Sequence, residues 1–291
     1  MPAGGRPTVR SRRLGSALKK YRTAAQLDQP QAAEVIAVSA SKISRIETGH
    51  ISTRVIELRL LLDAYGVTDP EVRSRLEELA KGSNRRGWWL EHAAHLRADY
   101  LDHISLEDDA TYIREWQPNL IPGLLQVPAY AEAVITSAPH FIDPERVSQL
   151  VKVRQDRQVK IDEVEGSANY TVIIWEPVII HSIVKPEVYQ QQLAHILEVG
   201  QRQNVTLQVL SISAGVKASM PAAFSSFSFD SEPVVEAVTL DNLRGASILE
   251  AAEDLTAYAL AFDQLRSAAL APDASARLIR GALQRSKDDT K

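Results

Sequence analysis

The sequence predicts an all-α helix-turn-helix N-terminal domain followed by an α+β C-terminal domain with a small, mostly antiparallel sheet. Three observations carry this. Apolar residues keep a helical period to about residue 81, and from Tyr170 onward they gather into short β-branched or aromatic runs between turn residues. Two short, capped helical segments lie three or four residues apart near the start of the chain. Charge is also segregated: residues 1–54 hold 10 Lys/Arg against 3 Asp/Glu, leaving 23 against 34 in the rest of a chain whose net charge is −4. A basic module on an acidic body suggests an anionic partner for the first part only, and nucleic acid is the commonest large anion.

The elements follow in order. Residues 1–10 are rich in Gly, Pro and Arg and read as a flexible basic arm. Leu14, Ala17, Leu18, Tyr21 and Ala25 repeat at helical spacing, giving a helix over about 11–25. Asp28 is the N-cap of a short helix near 29–36, and Ser39 that of a second over 40–48 with Ile43 and Ile46 inward. Gly49 stops the second helix at the left-handed position. An apolar helix over 53–65 ends at Gly66, and Asp69-Pro70 opens another to about Lys81. Residues 82–87 read as a linker, so 11–81 form one domain and 88–291 the other. In the second domain the spacing predicts helices over 88–106, 128–137, from Asp143-Pro144 to about 160, and over 186–200, 247–270 and 273–285. Tyr170–Trp175, Val205–Leu210, Phe224–Phe229 and Val234–Leu240 read as four strands.

Composition removes several classes of function. With no Cys there are no disulfides, thiolate nucleophiles or Cys-ligated zinc, and a reducing cytoplasm, at the nucleoid, is the expected location. The longest apolar candidate, Val172–Ile180, contains Glu176, so no membrane span is expected. The basic opening is followed by no apolar stretch, so no signal peptide is expected either. The 13 Gly do not cluster as a phosphate cradle, and no nucleophile elbow or dinucleotide fingerprint occurs. An enzyme, a cofactor and a metal are therefore not expected. One set has metal-ligand spacing: His92, His95 and Asp99 share a face if 88–106 is one helix, though such residues on one exposed helix are more often solvated.

The second short helix is the one that enters the major groove in a helix-turn-helix. Short or basic residues at its start, Ser39, Ala40, Ser41, Lys42, Ser44 and Arg45, form the expected reading face, because short side chains admit the base edges and long cations reach bases or phosphates. Arg12, Arg13, Lys19 and Lys20 on the first helix, and Gln29 at a helix N-terminus, are the expected phosphate contacts. Leu27–Ser39 followed by Lys42-Ile-Ser-Arg-Ile-Glu-Thr-Gly49 resembles the Cro/repressor (Xre-type) helix-turn-helix family over about residues 11–66. The resemblance implies a structural ion pair between Arg22 and Glu47. Two residues depart from the family pattern: Ala37 replaces a usual turn Gly, so the turn is expected to differ locally, and Pro30 replaces a usual acidic residue.

Ile121-Pro-Gly-Leu-Leu-Gln126, Pro128–Ala131, Arg154-Gln-Asp-Arg-Gln158 and Val205–Leu210 resemble the C-terminal domain of actinobacterial regulators of the WhiJ type, over about 88–280. His181-Ser-Ile-Val184 departs from the basic residues usual there. The resemblance implies a transcriptional regulator whose relatives are antitoxin-like and encoded beside small partner proteins. The expected partners are double-stranded operator DNA, a second copy of the chain, and a small-molecule effector or small partner protein. The alternative is an interaction module that mainly binds the partner protein. Trp116, Tyr130, Arg154, Arg157 and Trp175 are the candidate ligand pocket, with core packing and surface ion pairs as the competing roles.

Overall fold

The computed structural model describes residues 9–82, 88–92, 96–137, 143–162, 164–219, 222–229, 234–242 and 245–289. It divides into two compact units, Met1–Trp88 and Trp89–Lys291.

The first unit holds five helices: α1 (Val9–Ala24), α2 (Gln29–Val35), α3 (Ala40–Glu47), α4 (Val55–Ala64) and α5 (Pro70–Gly82). Residues 9 and 10 of the expected arm thus open α1, and residues 1–8 lie outside the described residues. Helix α2 begins with a reciprocal capping box. The Asp28 carboxylate accepts from the Gln31 N–H at 2.8 Å, and the Gln31 side chain accepts from the Asp28 N–H at 2.8 Å. Ser39 caps α3 through Lys42 N–H. Leu14, Leu18, Ala33, Ile43, Ile46, Leu58, Leu61 and Leu62 meet in one core. The α1–α3 approach is very close: a Cβ on Gly15 would stand 2.4 Å from the Ile46 carbonyl oxygen, and Gly49 (φ +76°) sits against the Arg12 backbone. The α2–α3 turn does not differ as expected. Ala37 takes the left-handed conformation itself, at φ 53°.

The second unit is a six-stranded mixed sheet with helices on both faces. A 3₁₀ turn (Trp88–His92) and α6 (Ala98–Asp109) precede β1 (Tyr112–Gln117). Then come α7 (Pro128–Thr136), α8 (Pro144–Gln158), β2 (Asn169–Trp175), α9 (Glu176–Ile180), α10 (Pro186–Val199) and β3 (Val205–Leu210). The chain continues with β4 (Phe224–Ser228), β5 (Ala237–Asn242), β6 (Gly245–Leu249), α11 (Ala252–Ala268) and α12 (Pro272–Asp288). Strand order is β3-β2-β1-β4-β5-β6. The β1–β2 and β2–β3 pairs are parallel, and the other three are antiparallel.

Three sequence expectations are corrected here. The helix expected over 88–106 is a short 3₁₀ turn and a separate α6, because Arg97 has extended backbone (φ −74°, ψ 150°) and starts a new helix. Four expected strands are six. Strand β1 escapes notice because its alternating pattern buries a charged residue, Glu115. Strand β6 lies where a helix was expected from 247, and α11 starts at Ala252.

Strand alternation and register sort the side chains by face. Ile113, Glu115, Tyr170, Val172, Phe227 and Thr239 face α6 and α8, while Arg114, Trp116, Ile173, Trp175, Phe224, Ser226 and Val238 face α11. The outer edge of β3 is covered: Leu270 N–H donates to Val209 O, and Val209 N–H to Ser275 Oγ, so the start of α12 satisfies backbone that would otherwise be an open edge.

Candidate nucleic-acid interface

Helix α3 has two sharply different sides. Ile43, Ile46 and Glu47 are buried, which fixes its rotation. Ser41, Ser44, Arg45 and Thr48 fall at i, i+3, i+4 and i+7 and form the outward stripe, with Ser41, Arg45 and Thr48 exposed. Ser39, at the cap, is also exposed, and Ala40 is half-buried. Thr48 and exposed His50 extend this surface past the predicted residues, with His50 Nδ1 3.0 Å from Thr48 Oγ1. The signal for them was the helical period carried one turn beyond Arg45.

A buried ion pair holds α3 in place. Arg22 Nε and Nη2 donate to the two Glu47 carboxylate oxygens at 2.5 and 3.0 Å, and Arg22 Nη1 donates to Leu27 O at 2.7 Å. Glu47 strengthens the Arg22 charge: the hydrogen bond between them raises the guanidinium above its usual range despite burial. Tyr65, buried nearby and facing Glu47, is pushed up to about 12.

Two expected DNA contacts are engaged within the chain. The Gln29 amide, expected on a phosphate, donates to Glu47 at 2.9 Å, and the N-terminus of its helix is occupied by Asp28. The Lys42 ammonium reaches α4 and pairs with Glu57 at 2.8 Å. Burial pushes the Glu57 carboxyl up, but Lys42 and the Arg54 N–H outweigh it and hold it below its usual value. On α1, Lys19 and Lys20 are exposed, and Arg12 and Arg13 are half-buried.

In the second unit the five candidate pocket residues are not brought together. Trp116 and Trp175 lie on the α11 face, Trp116 fully buried. Tyr130, Arg154 and Arg157 belong to the α7–α8 layer on the other face. There they interlock three of the sequence motifs, Ile121–Gln126, Pro128–Ala131 and Arg154–Gln158. Arg154 Nη1 donates to Gln126 Oε1 (2.7 Å), Gln158 Nε2 to Gln126 O (2.7 Å), Gln126 Nε2 to Ile121 O (2.6 Å), and Ile121 N–H to the Tyr130 hydroxyl (3.3 Å). An irregular segment with many backbone polar groups is thereby satisfied by side chains. Arg157 makes two bonds to Glu107, at 2.8 and 2.7 Å, and one to the Tyr100 hydroxyl at 2.7 Å. Burial opposes the Glu107 charge, yet Arg157 and His103 outweigh it and bring that carboxyl down to about 2. The Arg157 donors are thus taken by Glu107 and Tyr100, whereas Arg154 gives one to Gln126 and its buried Nε has no hydrogen-bond partner among the described residues.

Nor do His92 and Asp99 share a helix: His92 lies 3.8 Å from Asp156, Asp99 accepts from Ala246 N–H at 3.0 Å, and His95 lies outside the described residues. Among the described residues no His/Asp/Glu group could hold a metal, and no helix is long and apolar enough to cross a membrane.

These features define a helix-turn-helix protein whose helical unit is followed along the chain by an α+β domain. Residues 13–76 match the family model described as a helix-turn-helix domain, a DNA-binding module, and residues 100–281 match the one described as a domain of unknown function, DUF5753. The second match spans more than half of the chain, and the chain belongs to that family. No curated protein and no solved structure matches it.

Proposed function

We propose that the protein is a sequence-specific, non-enzymatic transcriptional regulator that sets α3 in the major groove of an operator. The observation that carries this is the α3 stripe of Ser41, Ser44, Arg45 and Thr48, polar and outward, on a helix whose opposite side is locked into the core. Short hydroxyls let the helix approach base edges, and Arg45 reaches a base or phosphate. Lys19, Lys20, Arg12 and Arg13 hold phosphates, and Lys42 joins them when it leaves Glu57. Residues 1–8 act as an arm, α1 to α5 as the reader and 83–87 as a linker. Residues 88–291 pair two readers at half-sites about 34 Å apart and respond to an effector or small partner protein.

The test is a mobility shift of the full chain on its own upstream DNA, at two salt concentrations, with unrelated DNA as competitor. Competitor-resistant binding is expected. Arg45→Ala or Ser41→Glu is expected to lose about 1–3 kcal/mol of specific binding, the scale of one base contact. Parent-like binding by both variants would sink the assignment of α3.

A further inference from the structure

On the α11 face of the sheet, three side chains have a buried polar atom with no hydrogen-bond partner: Trp116 Nε1, Trp175 Nε1 and Ser226 Oγ. Register places Trp116 between the other two. Trp116 sits opposite Ile173 on β2 and Phe224 on β4. Trp175 is the next residue on that face of β2, and Ser226 the next on that face of β4. Both are diagonal neighbours of Trp116, but in opposite directions: Trp175 lies toward the carboxyl end of β1, within reach of the Trp116 side chain, and Ser226 lies at the level of Arg114. A buried indole N–H usually finds an acceptor, and an unsatisfied group in a folded protein calls for a specific explanation. Here two indole donors share one cluster, whose other buried members (Ile173, Leu210, Phe224, Val235, Val238, Phe262 and Leu265) are hydrocarbon.

The topology points independently to the same place. Strands β1, β2 and β3 are parallel, so their carboxyl ends lie together, and those ends carry Trp116, Trp175 and Leu210. The order β3-β2-β1-β4-β5-β6 reverses at β1: the chain leaves β1 for β2 on one side and returns from β3 to β4 on the other. Open α/β sheets take their ligands outside the carboxyl ends of the strands at such a reversal. The cluster is also not sealed at its edge. Trp175, Leu240, Leu249, Leu255 and Tyr258 are only partly buried around it. The cover is α11, which rests Tyr258 edge-on against Phe224 (5.0 Å between ring centres) and starts at Ala251 without a side-chain cap.

We propose that this cluster is an effector site, entered from the Tyr258 side as α11 lifts, for a compact apolar molecule bearing an uncharged carbonyl oxygen. The oxygen accepts from the Trp116 and Trp175 indoles, and the apolar body replaces α11 side chains against Ile173 and Phe224. An uncharged ligand follows from the donors, all neutral, in apolar surroundings where a new charge is left uncompensated. Arg114, on the same face, already has Asp263 beside it. The site deepens the effector role proposed for residues 88–291 and rests on that reading.

The experiment uses the full chain with ¹⁵N-labelled tryptophan, whose four Trp give four indole N–H signals. Trp88→Phe and Trp175→Phe, both at partly buried positions, assign two of them, and through-space contacts to Phe224 and Phe262 separate Trp116 from Trp89. The probe is cyclohexanone, with methylcyclohexane and cyclohexanecarboxylate as controls. Saturable downfield movement of the Trp116 and Trp175 protons with cyclohexanone alone is expected, and Trp175→Phe should weaken binding, read at the Trp116 proton, about two- to tenfold, the worth of one neutral hydrogen bond. No movement, equal movement with methylcyclohexane, or tighter binding of the carboxylate would overturn the proposal. So would indole protons that are already bonded and exchanging with a trapped water. Because this reading needs no DNA, a mobility shift on the same preparation tells failure of the site from failure of the regulator assignment.

Discussion

Replacing Arg22 with Met should loosen the whole reader unit, and the structure sets the size of the effect. Glu47 accepts three hydrogen bonds, two from Arg22 and one from Gln29, with its side chain only 3% exposed. Arg22→Met removes both charge-assisted bonds and leaves a buried carboxylate with one neutral donor. Breaking one side of such a pair costs about 3–5 kcal/mol. That is a large share of the stability of a small unit, on the order of 5–15 kcal/mol. The assay is hydrogen exchange in the full chain, read at core amides of α3 and α4 (Ile43, Ile46, Leu58, Leu61), whose protection should fall roughly 100- to 3,000-fold. The double variant Arg22→Met/Glu47→Leu removes both charges from the same volume. It should recover to within about 2 kcal/mol of the parent, the remainder being the Leu27 carbonyl that loses Arg22 Nη1. A single-variant loss below about 1 kcal/mol, or a double variant no more stable than the single, would refute the view that a buried, mutually dependent pair locks α3.

Other outcomes follow from the same geometry. Ala37→Gly should stabilise the reader by about 0.5–1 kcal/mol in urea unfolding, because relief of the left-handed strain at φ 53° exceeds the added chain entropy of glycine; destabilisation would mean that the turn is not left-handed. Glu57→Gln releases the Lys42 ammonium for a phosphate. It should tighten non-specific DNA binding and steepen the salt slope by about one charge, whereas an unchanged slope would leave Lys42 out of the interface. Burial raises the Glu115 carboxyl above its ordinary 4.5, with Tyr170 and Gln117 only partly offsetting it. A raised folded value means stability that is full below the ordinary range and lost as pH rises through the folded value. Glu115→Gln should therefore flatten the loss of stability of the second unit on that rise, measured by thermal unfolding across pH. A parallel curve for parent and variant would contradict it.

Legibility in the sequence followed locality. Asp28 and Ser39 as caps, Gly49 and Gly66 as left-handed stops, and the inward Ile43 and Ile46 depend on residues within a turn of each other, so the reader helices were visible as written. Strands Tyr170–Trp175 and Val205–Leu210 were visible because both faces of a parallel strand are largely buried and the runs are mostly apolar, with Thr171, Thr206 and Gln208 as the exceptions. Strand β1 was not, because Glu115 and Arg114 make it read as polar. What makes Glu115 tolerable is the Tyr170 hydroxyl 55 residues away. The break before α6 carried no Pro or Gly to mark it.

What the sequence alone determined was the reader's existence, its place at the start of the chain and the residues outward on its second helix, since capping, period and charge act over a few residues. Only the tertiary structure decided which side chains are spent inside the fold. Gln29 and Lys42 look available in a linear reading, but Glu47 and Glu57 claim them across 18 and 15 residues. Arg157 looks like an anion ligand, but a buried Glu107 and the Tyr100 hydroxyl take its donors. The tertiary structure also separated Trp116 and Trp175 from Tyr130, by setting them on opposite faces of one sheet. A hydrogen bond satisfied by a distant partner leaves no local trace in the chain, which is why pairing and facing had to come from the fold.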